Sequence, residues 1–192
     1  MVNFDYQTPT RLIFGKGVVS EKLASVMNQY GKRVLITYGG GSIKRTAPGH
    51  DKSLYDLVKD TLTDKQVFEL GGIQPNPKFN PSVLDGVRMC QDNDIDVILA
   101  VGGGSVLDCT KAIAGVAGTL KTKVTDNVEE AWDIVCGRKP TTAAVPIVDI
   151  ITMAATGSEY DMGGVISRTE TNDTLAYFSN LVFPAVSFID PT

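Results

Sequence analysis

The amino-acid sequence predicts an α/β domain built on an open, mostly parallel sheet with flanking helices. Strand-like and helix-like segments alternate along most of its 192 residues, and this alternation is typical of βαβ units. Residues 97–101 form a continuously apolar run, as expected for a parallel strand that is covered on both faces. Because the chain has the length of a typical single domain, we expect residues 1–192 to form one domain.

The individual elements follow from the spacing of apolar residues and from the turn residues between them. The first fifteen residues predict two extended pieces joined at a turn around Pro9, and the helix after Gly17 has Gly31 as a plausible C-cap. Further helices are predicted at 53–62, 82–90, 105–114 and 127–135. Strands are predicted at 33–38, 66–70, 96–101 and 143–151. Three more strands, without helices between them, are predicted at 165–167, 175–178 and 186–189.

A glycine loop separates the apolar strand from the helix that follows it. The loop consists of Gly102, Gly103, Gly104 and Ser105. In an open parallel sheet such a loop lies at the carboxyl edge, where these folds bind ligands. Glycines let backbone amides approach a phosphate, and the helix N-terminus adds partial positive charge. We therefore predict that this loop binds the pyrophosphate of a dinucleotide.

The same segment departs from two familiar phosphate-binding patterns. Leu107 stands where Gly-x-Gly-x-x-Gly needs its last glycine, and the Gly-Lys-Ser/Thr of a Walker loop is absent. Ser105 and Asp108 also have the Ser-x-x-Asp form of a helix capping box. That motif is an alternative, purely structural explanation of both side chains.

A second glycine loop ends an earlier strand and precedes two basic residues, Lys44 and Arg45. It consists of Gly39, Gly40, Gly41 and Ser42. No carboxylate that would bind the ribose 2′-hydroxyl of NAD stands between Tyr38 and Arg45. Small residues, a hydroxyl and two cations favour the 2′-phosphate of NADP instead. A solvated turn with incidental surface charges is the alternative.

A third polar cluster, at residues 152–159, follows the apolar strand predicted at 143–151. Its short hydroxyls, among them Thr152 and Thr156, suit hydrogen bonds to a ribose or a carboxamide. A Thr/Ser-rich helix start is the structural alternative.

Composition excludes several classes of protein. The net charge of −4 argues against a general nucleic-acid binder. Three widely spaced cysteines and a single histidine, His50, predict no metal site. The chain starts without the regions of a signal peptide, and its apolar runs are too short to span a bilayer. We therefore expect a cytoplasmic protein that binds neither nucleic acid nor membrane.

Taken together, these segments resemble the iron-containing (group III) alcohol dehydrogenase family, especially its NADPH-linked butanol dehydrogenase and aldehyde reductase branch. The resemblance covers essentially the whole chain, up to Asp190 and Pro191, and runs through residues 8–17, 37–44, 72–77, 100–108 and 155–159. It implies a Rossmann-like sheet of the kind found in the N-terminal domain of dehydroquinate synthase. Family members continue into a helical domain that binds a divalent metal, Fe or Zn. Nothing in this sequence matches those ligands, so the helical metal-binding domain is expected after residue 192.

The resemblance also implies roles for individual residues, all of them in cofactor binding and none in catalysis or metal binding. Gly102 to Ser105 would hold the pyrophosphate, with Asp108 just behind. Gly39 to Ser42 would face the adenosine 2′-phosphate, with Lys44 close by. The remaining contacts would come from Asn76 on the adenosine side and from Thr152 and Thr156 near the nicotinamide. Thr174 is a departure, because the family usually has a lysine there that contacts the nicotinamide-side ribose.

The implied function is that of the NADP(H)-binding half of a metal-dependent alcohol dehydrogenase. Such an enzyme interconverts a primary alcohol and an aldehyde by hydride transfer, and we expect this chain alone to lack turnover. A homo-oligomer is expected. Two alternatives stay open: an NAD-linked domain of the glycerol dehydrogenase type, and a stand-alone nucleotide-binding regulatory module without catalysis.

Overall fold

A parallel sheet of six strands forms the centre of the protein, whose computed structural model describes residues 7–192. The strands of this sheet are β1 Arg11–Phe14, β2 Arg33–Tyr38, β3 Gln66–Leu70, β4 Val97–Gly102, β5 Ile147–Ile151 and, after two strands that lie outside the sheet, β8 Val186–Ile189. Their spatial order is β1-β8-β5-β4-β2-β3 and every neighbouring pair is parallel. The other two strands, β6 Gly163–Arg168 and β7 Asp173–Phe178, form a separate antiparallel pair. The predicted α/β fold with a mostly parallel sheet is confirmed.

Helices cover both faces of the sheet. They are α1 Val18–Met27, α2 Leu54–Thr61, α3 Leu84–Asp92, α4 Gly104–Thr119 and α5 Val128–Val135. Alternate residues of β4 point to opposite faces, so Leu99 packs in the core under α1 and α2, whereas Ile98 packs in the core under α3, α4 and α5. All six residues of β4 are buried for this reason.

Helix α4 lies in the larger of the two cores and is held there by polar as well as apolar contacts. The Thr110 hydroxyl lies 2.7 Å from that of Thr37 on β2. The fully buried Lys111 ammonium donates to the Gly163 carbonyl at 2.8 Å and pairs with Asp161. A side chain at Gly118 would place its Cβ 2.6 Å from the Ala144 backbone, so this helix approaches the 141–146 segment as closely as glycine allows.

Two predicted boundaries are wrong, and both errors have long-range causes. Helix α1 ends at Met27 with Asn28 as its C-cap. Gly31 instead leaves room for Asp96, whose carboxylate accepts a hydrogen bond from the Arg33 amide at 2.8 Å. Strand β5 begins at residue 147 rather than 143, because the amides of residues 142 and 143 bond to a hydroxyl of α4 instead of a strand.

Helix α4 also continues five residues beyond its predicted end at 114. The remaining predicted elements lie within two residues of the observed ones, and the strands at 33–38, 66–70 and 186–189 agree at both ends. The second of the two extended pieces before residue 15 is β1. The first falls largely on residues 1–6, which lie outside the described residues. No helix within 7–192 is both long enough and apolar enough to cross a membrane.

Candidate functional site

The predicted phosphate loop lies at the carboxyl edge of the parallel sheet, between β4 and α4. Helix α4 begins at Gly104 with Gly103 as its N-cap, and within residues 7–192 no side chain caps it. The first amides of a helix lack intrahelical partners, so those of Gly103, Gly104 and Ser105 are free to bind an anion. Gly102 is glycine for a different reason, because a Cβ there would lie 2.6 Å from the Val106 side chain.

The capping-box explanation of Asp108 is wrong. Its carboxylate accepts a hydrogen bond from the Ser158 hydroxyl at 3.0 Å and another from the Val165 amide at 3.0 Å. Burial raises the pKa of Asp108 above its ordinary value. A Cβ at Gly164 would lie 2.8 Å from the Asp108 Cα, so β6 also packs tightly here. Asp108 therefore joins α4 to β6 and to the segment that follows β5.

That segment, residues 152–160, is called the hydroxyl loop below. The Thr152 amide donates to the Gly102 carbonyl at 3.0 Å, which anchors the start of the hydroxyl loop to the end of β4. A Cβ at Gly104 would lie 3.3 Å from the Ser158 hydroxyl oxygen and 3.9 Å from that of Thr156. The structure thus brings Thr156 and Thr152 to the first glycine loop. It adds Ser158, which the sequence analysis did not assign.

The second glycine loop follows β2 at the same edge of the sheet. The Gly39 carbonyl accepts a hydrogen bond from the Gly72 amide at 2.8 Å, and residues Gly41–Lys44 form a 3-10 turn. A Cβ at Gly40 or Gly41 would meet no described atom within 4 Å. These two glycines therefore face open space rather than a packed neighbour. Ser42 is exposed at the start of the turn.

Lys44 lies in a cluster of aromatic and charged side chains. Its ammonium donates to the Tyr38 hydroxyl at 3.0 Å and lies 4.8 and 4.5 Å from the ring centroids of Tyr38 and Tyr55. The hydrogen bond to Tyr38 raises the pKa of Lys44, so the side chain is cationic.

Glu69 of β3, which the sequence analysis missed, anchors this cluster. Its carboxylate accepts hydrogen bonds from Tyr38 at 3.2 Å, from Tyr55 at 2.9 Å and from Lys59 at 2.8 Å. Burial opposes ionisation, but the hydrogen bonds from Lys59 and Tyr55 prevail and lower the pKa of Glu69. Only the pairing of β2 with β3 brings this carboxylate beside Lys44, and nothing in the local sequence predicts it.

A cleft of about 410 Å³ connects the second glycine loop to the hydroxyl loop. Ser42 of the second glycine loop and Thr152 and Met153 of the hydroxyl loop line it. The basic side chains Arg45 and His50 line it as well. The residues of the first glycine loop do not line this cleft. They lie beside it, because a Cβ at Gly103 would be 3.7 Å from the Cβ of Met153. Asn76 is exposed after β3, with a left-handed φ of 54°.

The family departure at Thr174 lies on the separate antiparallel pair of strands. Thr174 is exposed on β7, where its hydroxyl lies 3.1 Å from that of Ser167. Within the described part of the chain no three His, Cys, Asp or Glu side chains are grouped as metal ligands. The residues of 7–192 therefore offer no ligand set for a divalent metal, and His50 is exposed.

Comparison with known proteins identifies the family. The sequence model of the iron-containing alcohol dehydrogenase family matches residues 9–191. The chain belongs to this family. It is 46% identical to the probable NADH-dependent butanol dehydrogenase 1 of Bacillus subtilis, over 100% of this chain and 46% of that protein. It is 39% identical to the NADPH-dependent aldehyde reductase YqhD of Escherichia coli, over 100% of this chain and 46% of the reductase.

Solved structures agree with the sequence comparison. The NADH-dependent butanol dehydrogenase A of Thermotoga maritima superposes with a TM-score of 0.84 at 33% identity, covering 98% of this chain and 44% of that one. The crystal structure of E. coli YqhD gives a TM-score of 0.82 at 40% identity, over 98% of this chain and 45% of that one. The chain spans about half the length of the relatives it matches.

The role of Asp108 as a link between elements can be tested by Asp108→Ala. The substitution leaves the Ser158 hydroxyl and the Val165 amide without their acceptor, which should lower the free energy of unfolding by about 1–3 kcal/mol. Urea unfolding measures this loss, and hydrogen exchange should show faster exchange at the Val165 amide. The exposed Asp126→Ala is the control, with an expected change within about 0.5 kcal/mol. Unchanged exchange at Val165 in Asp108→Ala would contradict the assignment.

Proposed function

We propose that this chain is the NADP(H)-binding half of an alcohol dehydrogenase that interconverts a primary alcohol and an aldehyde. The observation that carries the proposal is the uncapped N-terminus of α4, with a hydroxyl-bearing loop directly beside it. Helix N-termini with free amides bind phosphate groups. Membership of the iron-containing alcohol dehydrogenase family supports the same reading.

In this proposal each part of the cofactor would bind along the carboxyl edge of the sheet. The amides of Gly103 to Ser105 would bind the pyrophosphate, with Gly102 giving close approach and Asp108 fixing the helix behind them. Ser42 and Lys44 would bind the 2′-phosphate beside Gly39 to Gly41, and Asn76 would contact the adenosine. Thr152 and Thr156 would face the nicotinamide half, which supplies the hydride donor or acceptor when the cofactor is bound.

The choice of NADP(H) over NAD(H) rests on charge at the second glycine loop. Relatives of this chain are named both as NADH-dependent and as NADPH-dependent enzymes. The preference for one cofactor must therefore be argued from the residues of this chain. Lys44 and Arg45 are cationic and Ser42 offers a hydroxyl, which together suit a phosphate dianion. Glu69 already accepts hydrogen bonds from three side chains, two of them tyrosines and one a lysine. Its charge is therefore balanced locally.

The catalytic half of such an enzyme would lie outside these residues. We infer that residues 1–192 are the dinucleotide-binding domain and that a helical domain carrying a divalent metal, Fe or Zn, completes the active enzyme in the cytoplasm. Phe14, Met153 and Phe178 are each more than half exposed. Phe and Met side chains are enriched in interfaces between protein chains, and we propose a homo-oligomer. This chain alone would bind the cofactor without oxidising alcohols.

Gly103→Asp should separate cofactor binding from folding. The Gly103 backbone has a φ of −87°, which any residue adopts, and the new Cβ would make only ordinary contacts. Aspartate is a favoured N-cap and glycine is only slightly worse, so the free energy of unfolding should stay level or rise by a few tenths of a kcal/mol. Its carboxylate would occupy the helix amides and repel the pyrophosphate, raising the Kd for NADPH by about 100-fold. Fluorescence titration of NADPH and thermal unfolding measure the two effects.

The matched control is Gly103→Asn, which has the same size and capping ability but no charge. We expect it to weaken NADPH binding less than Gly103→Asp while leaving the melting temperature similar. If Gly103→Asp binds NADPH as tightly as the unaltered chain, the pyrophosphate does not lie at α4.

Lys44→Gln tests the preference for the 2′-phosphate. The substitution removes a cation at similar side-chain length, so it should raise the Kd for NADPH by about tenfold, the equivalent of one charge-assisted hydrogen bond. The Kd for NADH should not change, because NADH lacks the 2′-phosphate. Lys52→Gln, at an exposed lysine that lines the cleft beside Ser42, is the control. Equal weakening of both cofactors, or a tighter Kd for NADH in the unaltered chain, would contradict the NADP(H) assignment.

A further inference from the structure

A buried serine connects the centre of the sheet to the hydroxyl loop. Ser187 of β8 is fully buried and pairs in register with Asp149 of β5, which is also fully buried. The Ser187 Oγ lies 2.5 Å from the Asp149 Oδ2 and 2.6 Å from the Glu159 carbonyl oxygen. Both distances are those of strong O–H···O hydrogen bonds.

The single hydrogen of the Ser187 hydroxyl determines the protonation state of Asp149. A serine hydroxyl has one hydrogen to donate, while a backbone carbonyl and an ionised carboxylate only accept. With Asp149 ionised, one of the two short contacts would bring together lone pairs without a hydrogen. Both contacts become hydrogen bonds only when the Asp149 carboxyl is protonated and donates to Ser187, which in turn donates to the Glu159 carbonyl.

The surroundings of Asp149 favour the same protonation state. Its Oδ1 is buried and has no partner among the described residues, and an unpaired carboxylate oxygen is far more costly to bury than a neutral one. Burial raises the pKa of Asp149 from 3.8 to about 8.

Two charged side chains face Asp149 from the elements packed against it. Glu159 of the hydroxyl loop adds to the rise in the pKa, and Lys111 of α4 opposes it. The Lys111 ammonium, however, is already bound to Asp161 and to the Gly163 carbonyl. Strand β4 places only the neutral Ala100 opposite Asp149.

We propose that Asp149 is a neutral carboxylic acid that positions the hydroxyl loop through Ser187. Its proton allows Ser187 to hold the Glu159 carbonyl, one residue from Ser158, which in turn bonds to Asp108 beside the first glycine loop. Asp149 is a positioning residue in this scheme, because it acts through another side chain. That the hydroxyl loop contacts a cofactor rests on the proposed function.

The direction of the pH dependence follows from the raised pKa. Between the ordinary value of 3.8 and about 8, the folded chain keeps a proton that the unfolded chain has lost. The contribution of Asp149 to the free energy of unfolding is therefore complete at low pH and declines as pH rises through this window. Above it the ionised carboxylate takes the Ser187 hydrogen, and the Glu159 carbonyl loses its donor. Affinity for NADPH should fall as this happens.

The test compares pH profiles of the unaltered chain, Asp149→Asn and Ser187→Ala, each between about pH 6 and pH 9 so that the profile crosses the raised pKa. An asparagine amide donates to Ser187 as the neutral acid does but does not titrate. We expect the Kd of the unaltered chain for NADPH to rise several-fold across this range. Asp149→Asn should match it within about twofold at the acidic end and lose the rise. Ser187→Ala should bind more weakly than the unaltered chain at the acidic end, and the difference should shrink toward the alkaline end, where the unaltered chain also loses the hydrogen bond to Glu159.

Thermal unfolding of the same three proteins without cofactor separates this proposal from the proposed function. If NADPH does not bind but Asp149→Asn removes part of the fall in melting temperature with pH, the positioning role stands and the proposed function fails. If NADPH binds, and if both the Kd and the melting temperature of Asp149→Asn change with pH as they do in the unaltered chain, the positioning role is overturned. Should Asp149→Asn not fold, the carboxyl carbon chemical shift of Asp149 in the unaltered chain decides, and titration near the ordinary pKa of 3.8 overturns the proposal.

Discussion

The burial of α4 against the parallel sheet is the constraint on which the candidate site depends. The helix meets β2 through Thr110, meets β6 through Asp108, and buries the whole of Lys111. Small residues let it lie this deep, and the Gly118 contact with the Ala144 backbone leaves no space for a larger one. A helix fixed in this way holds its N-terminus at the edge of the sheet. Its free amides are therefore preorganised rather than assembled on binding.

Polar contacts carry this rigidity outward to the hydroxyl loop. Thr152, Ser158 and Glu159 each bond to a different element, namely the end of β4, helix α4 and strand β8. The second glycine loop differs, since Gly40 and Gly41 face open space. The Lys44 ammonium contacts two tyrosines, and both tyrosines donate hydrogen bonds to Glu69. One end of the edge is thus built from backbone amides and the other from side-chain charge. That contrast matches the two ends of an extended dinucleotide.

Local sequence predicted the parts of the fold and site whose physics is local. An apolar strand, a glycine run and a helix start are all visible between Val97 and Ser105, so the position of this loop between β4 and α4 was predicted correctly. Asp108 was open to a capping explanation because its true partners, Ser158 and Val165, lie 50 and 57 residues away. Glu69 was missed for the same reason, because its partner Tyr38 lies 31 residues away in the sequence. The pattern also predicted three strands near the C-terminus. Only the observed pairing shows that β8 belongs to the six-stranded sheet, whereas β6 and β7 form a separate pair.

We propose above all that the N-terminus of α4 binds the pyrophosphate of a nicotinamide dinucleotide. The most direct measurement is an amide chemical-shift titration of the chain with NADPH. We expect the largest shifts on Gly103, Gly104 and Ser105, with a second group at the loop from Gly39 to Ser42. Shifts confined to other surfaces, or none at saturating NADPH, would contradict it.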